Sequence, residues 1–427
     1  MKSDIVQELE WRGLIHQSTD RPALQAWLNE ACRTLYAGFD PTADSLHVGS
    51  LMPLLYLRRF QQAGHQPIAL VGGATGMIGD PSGKSQERNL LSADQLRANV
   101  QGIRQQMQRF LDFSNEDQGA VLVNNFDWMQ RYSYLDFLRE VGKNFPVNVM
   151  LTKDSVKARL DSDAGLSYTE FSYMLLQAFD FVHLLDEYNC QLQVGGSDQW
   201  GNITAGIDLG RRMRSKTLFG ITCPLLTKSD GSKMGKTETG TIWLDAQRTS
   251  YYEFYQYWIR VADEDAGKCL RFLTELDREQ IEALDLSREI APQERASQRQ
   301  LAIELTKLVH GEEGLRIAQR ATDVFFGAEI DELSDAQLGQ IFRDVPSAQI
   351  QRSSLDNEGT PIMDAFVAAG LAKSKGEARR TISQGGAYVN NRRVDSIDYT
   401  LSTSDLVGET TIVLRSGKKK YALLRTE

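Results

Sequence analysis

The segment "TKSDGSKMGKTETG" carries Lys233, Lys236 and Thr237 within five residues. Two ammonium groups and a hydroxyl in a Gly/Ser-rich loop suit a polyphosphate whose negative charge grows as a bond to phosphorus breaks. A second phosphate-directed signal is "VGGATGMIGDPSGKS", Val71 to Ser85, which ends like a P-loop. That template requires a glycine at position 78, where Ile78 stands, so the strict motif fails. What remains is a glycine-rich turn after an apolar run, suited to close backbone approach.

In "YAGFDPTADSLHVGSLMPLL" a short strand ends in Asp40-Pro41-Thr42, and His47-Val48-Gly49-Ser50 opens a helix with Asp44 or Ser45 as the expected N-cap. A helix N-terminus favours an anion and holds an imidazole neutral. Gly49, lacking Cβ, would let a nucleotide lie against the backbone. Taken alone, His47 reads as a structural histidine; its place just after a strand narrows the gap. In "YTEFSYMLLQAFDFVHLL", Tyr173, Gln177 and Asp180 fall at i, i+4 and i+7 on one helix face, among Phe171, Met174, Leu175 and Phe179. Polar groups in such surroundings are costly unless partnered, which points to a pocket for a small, partly aromatic, polar ligand. In "QVGGSDQWGN" another strand ends in glycines, Gly196 among them, with Asp198 and Gln199 leading into a helix. An acid at a strand end beside glycines commonly takes a ribose hydroxyl.

The elements that must position these residues are legible in the apolar pattern. The runs "TLYAGFD", "PIALVGG", "AVLVNN" and "CQLQVGGSD" alternate with helical stretches, which predicts a mostly parallel sheet wrapped by helices, an α/β fold. Ligands bind such sheets at the carboxyl ends of strands, where every motif above lies. From about Tyr251 the texture turns helical. Residues around 347–361 are polar and turn-rich, as a linker would be.

The chain has 427 residues and a formal charge of −9, but residues 351–427 hold 12 Lys and Arg against 9 Asp and Glu, a surplus of +3 that leaves −12 for residues 1–350. In that tail Lys373, Lys375, Arg379 and Arg380 share a helical stretch, and Asn390 to Arg393, with Arg392, turn between two strands. Basic groups on a small face are the footprint of RNA or DNA, and with Tyr388 as the main aromatic, shape and phosphate readout fit better than base stacking. Four separated cysteines indicate neither a disulfide framework nor a thiolate metal site. No signal peptide, transit peptide or membrane span is evident, and cytoplasmic thiols are the expectation.

With these motifs in one chain in this order, the sequence closely resembles the bacterial-type tyrosyl-tRNA synthetases, a class I aminoacyl-tRNA synthetase family, over essentially its whole length. "FDPTADSLHVGS" resembles the family's HIGH region, "KMGKT" its KMSKS loop, and "GDPSGK", "TEFSYMLLQAFD" and "GGSDQWGN" other active-site segments. The tail resembles a small RNA-binding domain shared with a ribosomal protein.

The resemblance implies a Rossmann-like catalytic domain at 1–225 with an insertion near 130–150, a basic loop and helical anticodon-recognition domain at 226–345, a linker at 346–360, and an α+β RNA-binding domain at 361–427. It implies tyrosine–tRNA ligase activity: tyrosine and ATP give tyrosyl-adenylate and pyrophosphate, and the tyrosyl group passes to the tRNA 3′ end. Tyr36 and Asp180 would hold the substrate's phenol, Tyr173, Gln177 and Asp80 its ammonium, with Gln199 near its carboxylate. Asp40, Thr42, His47, Gly49, Ser50, Gly196 and Asp198 would serve ATP. Lys84, Arg88, Lys233, Lys236 and Thr237 would gather pyrophosphate. Magnesium would travel on the ATP phosphates, with neither a metal site nor a tightly bound cofactor in the protein. A homodimer is implied, and no membrane association.

Ser50 stands where the family usually has a second histidine, so a weaker hydrogen bond to ATP is expected there. The Met234-Gly235 variation reads as conservative, since both lysines and Thr237 remain. The rival readings are the tryptophan-specific sister enzyme, a related nucleotidyltransferase making another adenylate, and a non-catalytic RNA-binding relative.

Overall fold

A computed structural model describes residues 4–82, 91–114, 118–160, 165–237, 240–330, 333–343, 345–356 and 359–427. Two compact units emerge, one formed by residues 1–249 and 260–309, the other by 250–259 and 310–427.

The first unit is built on strands β1 (Gln17–Ser18), β2 (Thr34–Phe39), β3 (Gln66–Val71), β4 (Val121–Asn124), β5 (Leu192–Gly196) and β6 (Phe219–Cys223), in the order β1-β6-β5-β2-β3-β4. Only β1 runs antiparallel; the rest pair in parallel, with Tyr36 of β2 opposite Ile68 of β3 and Gln193 of β5. The four apolar runs marked in the sequence are β2 to β5, and the expected doubly wound sheet is present. Strands buried on both faces read as continuous apolar runs, as "PIALV" does. The strand order reverses between β2 and β5, which is where such sheets open a crevice at their carboxyl ends.

The helix Tyr168–Tyr188 follows the crossover after β4. Ser167 caps it by accepting from the Glu170 N–H, and Asn189 ends it in the left-handed conformation at φ 49°. Its apolar face, with Met174, Ala178, Phe181 and Val182, packs into the core beside Ile68 and Leu70 of β3. Its first turn is pinned by a buried bidentate pair, in which Arg159 donates to both oxygens of Glu170 at 2.8 and 2.7 Å. Removing one member would strand a buried charge, so this pair fixes the helix that carries three of the expected site residues.

The expected N-cap at Asp44 or Ser45 is not what forms. His47 itself caps a short 3₁₀ turn, Val48–Ser50, that leads into the helix Leu51–Gln62. Ser45 instead donates to the Leu46 carbonyl, and Asp44 pairs with Arg248 at 2.6 Å.

In this unit two small strands, β7 (Lys236–Thr237) and β8 (Gly240–Thr241), pair antiparallel. The second unit holds β9 (Ser347–Ile350), β10 (Thr360–Pro361), β11 (Ala387–Val389), β12 (Arg392–Arg393), β13 (Thr400–Leu401), β14 (Thr411–Ser416) and β15 (Lys420–Thr426). Five of them form a sheet in the order β12-β11-β14-β15-β9. Its strands alternate their side chains: Val413 and Leu423 face a core with Ala321, Val324 and Phe342, while Leu414, Ala422 and Leu424 face Phe366 and Ile382.

The expected four-part division does not coincide with these units. Helices between 263 and 309 group with the parallel sheet, and those from 310 onward with the C-terminal sheet. The segment expected to be a linker contributes β9, which pairs in parallel with β15. Its polarity fits a short edge strand that is exposed on alternate residues.

Candidate active site

At the carboxyl ends of β2, β3 and β5 lies a cavity of about 310 Å³. Of the residues expected to bind small molecules, Tyr36, Asp40, Thr42, His47, Gly49, Ser50, Asp80, Tyr173, Gln177, Asp180, Gly196, Asp198, Gln199 and Lys233 all line it. Lys236 and Thr237 do not line it; they are exposed on β7. Lys84 and Arg88 lie outside the described residues.

One end of the cavity is a buried hydrogen-bond chain. Asp180 accepts from Trp128 Nε1 at 2.9 Å and from Asn125 Nδ2 at 3.0 Å. Asn125 Nδ2 also donates to Thr75 Oγ1 at 3.0 Å, and Thr75 donates to Asp40 Oδ1 at 2.8 Å. Tyr173 donates to Asp40 Oδ2 at 2.9 Å. Burial pushes the Asp180 carboxyl up to about 7, against the two donors that stabilise its anion. Burial likewise raises Tyr36 and Tyr173 well above an ordinary phenol. The Tyr36 hydroxyl is buried and has no hydrogen-bond partner among the described residues. A buried polar group left so is costly, and it marks a place where a ligand atom is wanted.

A second cluster borders the first. Gln199 Nε2 donates to Asp80 Oδ2 at 2.7 Å, and Asp80 Oδ1 accepts from the Ser82 N–H at 2.9 Å. Asn202 donates to Gln177 Oε1 at 3.1 Å and Gln199 Oε1 at 3.3 Å. This gathers carboxylate and amide oxygens, acceptors suited to an ammonium group.

The glycine-rich turn after β3 is explained without any phosphate. The Gly73 N–H donates to Asn124 Oδ1 at 3.1 Å and the Ala74 N–H to Asn125 Oδ1 at 2.7 Å. A Cβ on Gly72 would lie 2.1 Å from Asp40 Oδ1, and one on Gly73 2.2 Å from Asn124 Oδ1. These glycines let protein side chains approach the backbone.

At the other end, Ser50 Oγ sits 3.5 Å from His47 Nδ1 and accepts from the His47 N–H at 3.4 Å. A Cβ on Gly49 would come 2.9 Å from His47 Cε1, so Gly49 makes room first for the imidazole. At the variable pair of the lysine loop, Met234 is buried and Gly235 has φ +83°.

In the second unit Lys373, Arg379, Arg380 and Arg392 are exposed. Lys375 pairs with Asp364 at 2.5 Å and Arg393 with Asp395 at 2.7 Å, which mutes part of the expected basic face. Tyr388 lies under the Arg415 guanidinium at 3.8 Å, so one of its faces is already covered. A shallow groove joins Thr381 and Gln384 to the turn bearing Lys418 and Lys419 and to Lys420, which opens β15. Those three lysines, like Thr75, Asn125, Trp128 and Asn202, were missed in the sequence. The doubled Asn at the end of "AVLVNN" was a usable signal; Trp128 on a four-residue helix was not.

Two family profiles match the chain. The one for class I tRNA synthetases (W and Y) covers residues 29–327, and the one for the tyrosine–tRNA ligase SYY-like C-terminal domain covers 337–424. The tyrosine–tRNA ligase of Rhodopirellula baltica is 59% identical over 425 residues, spanning 100% of this chain and 97% of its own. That of Bacillus caldotenax is 50% identical over 423 residues, spanning 99% of each. Among solved structures, a C-terminally truncated mitochondrial tyrosyl-tRNA synthetase from Aspergillus nidulans aligns with a TM-score of 0.68 at 31% identity, over 76% of this chain and 94% of its own.

Proposed function

As this chain belongs to the class I tRNA synthetases of the tryptophan and tyrosine group, we propose that it is a tyrosine–tRNA ligase. It activates L-tyrosine with ATP and passes the tyrosyl group to the 3′ end of its tRNA. The observation that carries the choice of amino acid is the buried Tyr36 hydroxyl, without a partner among the described residues, in the same cavity as an Asp180 held by two donors. A substrate phenol placed there accepts from Tyr36 and donates to Asp180. An amino acid without the hydroxyl leaves both unpaired, a discrimination for which the tyrosine enzyme is the standard worked example.

Asp80, Gln177 and Tyr173 take the substrate ammonium, and Gln199 lies near the carboxylate. That carboxylate is itself the nucleophile: it attacks the α-phosphorus, the bond to the β-phosphate oxygen breaks, and pyrophosphate leaves carrying the electron pair. No general base is needed, so positioning and charge stabilisation supply the catalysis. Asp40, Thr42, Gly49, Ser50, Gly196 and Asp198 hold the nucleotide, with His47 near the bridging phosphates. Lys84, Arg88, Lys233, Lys236 and Thr237 gather the pyrophosphate, and magnesium arrives with ATP. In the second step a hydroxyl of the tRNA terminal ribose attacks the adenylate carbonyl and releases AMP.

The C-terminal sheet, with Arg379, Arg380, Arg392 and Lys418 to Lys420, binds tRNA phosphates, and the helices before it read the anticodon region. Tyr134 at 63%, Leu135 at 69% and Tyr168 at 62% exposure, with Val147 and Val149, are exposed apolar side chains on and beside the insertion, and the Tyr134 and Tyr168 hydroxyls lie 3.1 Å apart. So many exposed apolar side chains in one stretch support a homodimer. Four free thiols support a cytoplasmic setting. Charging of total bacterial tRNA tests the reading: radiolabelled tyrosine should be incorporated and tryptophan should not.

A further inference from the structure

Gly235 stands between the two lysines of the basic loop, and its carbonyl accepts from the Ile242 N–H at 2.8 Å. With φ +83°, it adopts a backbone conformation that L-residues resist. A Cβ added there would lie 2.9 Å from Val48 Cβ and 3.3 Å from Val48 Cγ1, so space is closed as well. The backbone around this contact is joined to the segment that carries His47. The Val48 N–H donates to the Ile242 carbonyl at 3.1 Å, the Leu244 N–H donates to the Leu46 carbonyl at 2.8 Å, and His47 faces Trp243 in an antiparallel bridge. On the inner side Met234 is buried, its N–H donating to the Leu226 carbonyl at 3.0 Å and its sulfur 3.5 Å from Cys269 Sγ. The lysine hairpin and the histidine turn are thus one hydrogen-bonded unit, closed at Gly235.

We propose that Gly235 is a positioning residue: its missing Cβ lets the lysine loop seat on the His47 turn and so places Lys233 at the cavity edge. A loop that can seat there holds its ammonium groups where negative charge grows as pyrophosphate departs. The inference rests on the reading of the cavity as the site of adenylate formation.

The test compares Gly235→Ala with Gly231→Ala in the full chain. Gly231 shares the loop and has φ +80°, but a Cβ there would meet nothing within 4 Å, so it carries the backbone strain without the contact. Tyrosine-dependent ATP–pyrophosphate exchange, tyrosine binding by equilibrium dialysis, and the initial rate of tryptic cutting at Lys233 and Lys236 are measured for each. Gly235→Ala should lower kcat for exchange about tenfold or more and quicken tryptic cutting several-fold, with tyrosine affinity kept within about twofold. Gly231→Ala should stay within about twofold of the parent chain in all three. Equal effects of the two substitutions, or an unchanged kcat and cutting rate in Gly235→Ala, would overturn the proposal. Absence of exchange in the parent chain would instead refute the reading of the cavity, and the cutting rates would still decide whether Gly235 seats the loop.

Discussion

The indole N–H of Trp128 donates to Oδ1 of Asp180 across 2.9 Å, in a place where the carboxylate is wholly buried. The same ring stacks on His183 with centroids 4.2 Å apart. Trp128 is therefore held from behind while it holds the carboxylate proposed to meet the substrate phenol. Trp128→Phe keeps the ring and removes the donor. A hydrogen bond to a charged group is worth about 1.5–3 kcal/mol, so tyrosine affinity should fall roughly tenfold or more by equilibrium dialysis. The KM for ATP should hardly change.

Asp180 also sets a pH dependence. Burial lifts its carboxyl from 3.8 to about 7 in the folded chain. The native state therefore holds this proton more tightly than the unfolded chain does. Its contribution to stability is full below 3.8 and is lost as pH rises through about 7. Tyrosine binding runs the other way, because the ionised carboxylate is the better acceptor for the phenol. Dialysis should show affinity rising several-fold between about pH 6 and about pH 8, with Asp180→Asn flat over that range.

Tyr36→Phe should separate stability from specificity. The hydroxyl has no partner among the described residues, so its loss should leave the melting temperature unchanged or raise it. The exchange reaction should lose much of its preference for tyrosine over phenylalanine, by about 1–2 kcal/mol or tenfold. A large drop in melting temperature would show the hydroxyl to be structural.

The lysine turn of the second unit should matter for tRNA alone. Replacing Lys418, Lys419 and Lys420 by alanine should leave tyrosine-dependent exchange intact and raise the KM for tRNA. It should also flatten the dependence of charging on salt, since fewer phosphates are neutralised. Aminoacylation at two salt concentrations checks both.

The parts of this site that could be read from sequence are those that share one element. Tyr173, Gln177 and Asp180 repeat at helical spacing, and His47 and Asp198 follow strand ends, so their placement followed from period and punctuation. Asn125 and Trp128 reach Asp180 from 55 and 52 residues away, and nothing in local pattern reports a contact of that range. The cap at His47 escaped because imidazole is not a preferred capping group, and Asp44 was free to pair with Arg248. β9 escaped because a polar edge strand looks like a linker until its partner β15 is seen. At Val71 to Ser85 glycine spacing alone could not tell phosphate from Asp40 and Asn124 as the group brought close.

Amino-acid-dependent exchange of labelled pyrophosphate into ATP, run without tRNA on the purified full chain, tests the central claim most directly. Tyrosine should support exchange, while tryptophan and phenylalanine at the same concentration should give little above background. Exchange with tryptophan rather than tyrosine, or none with any amino acid, would contradict it.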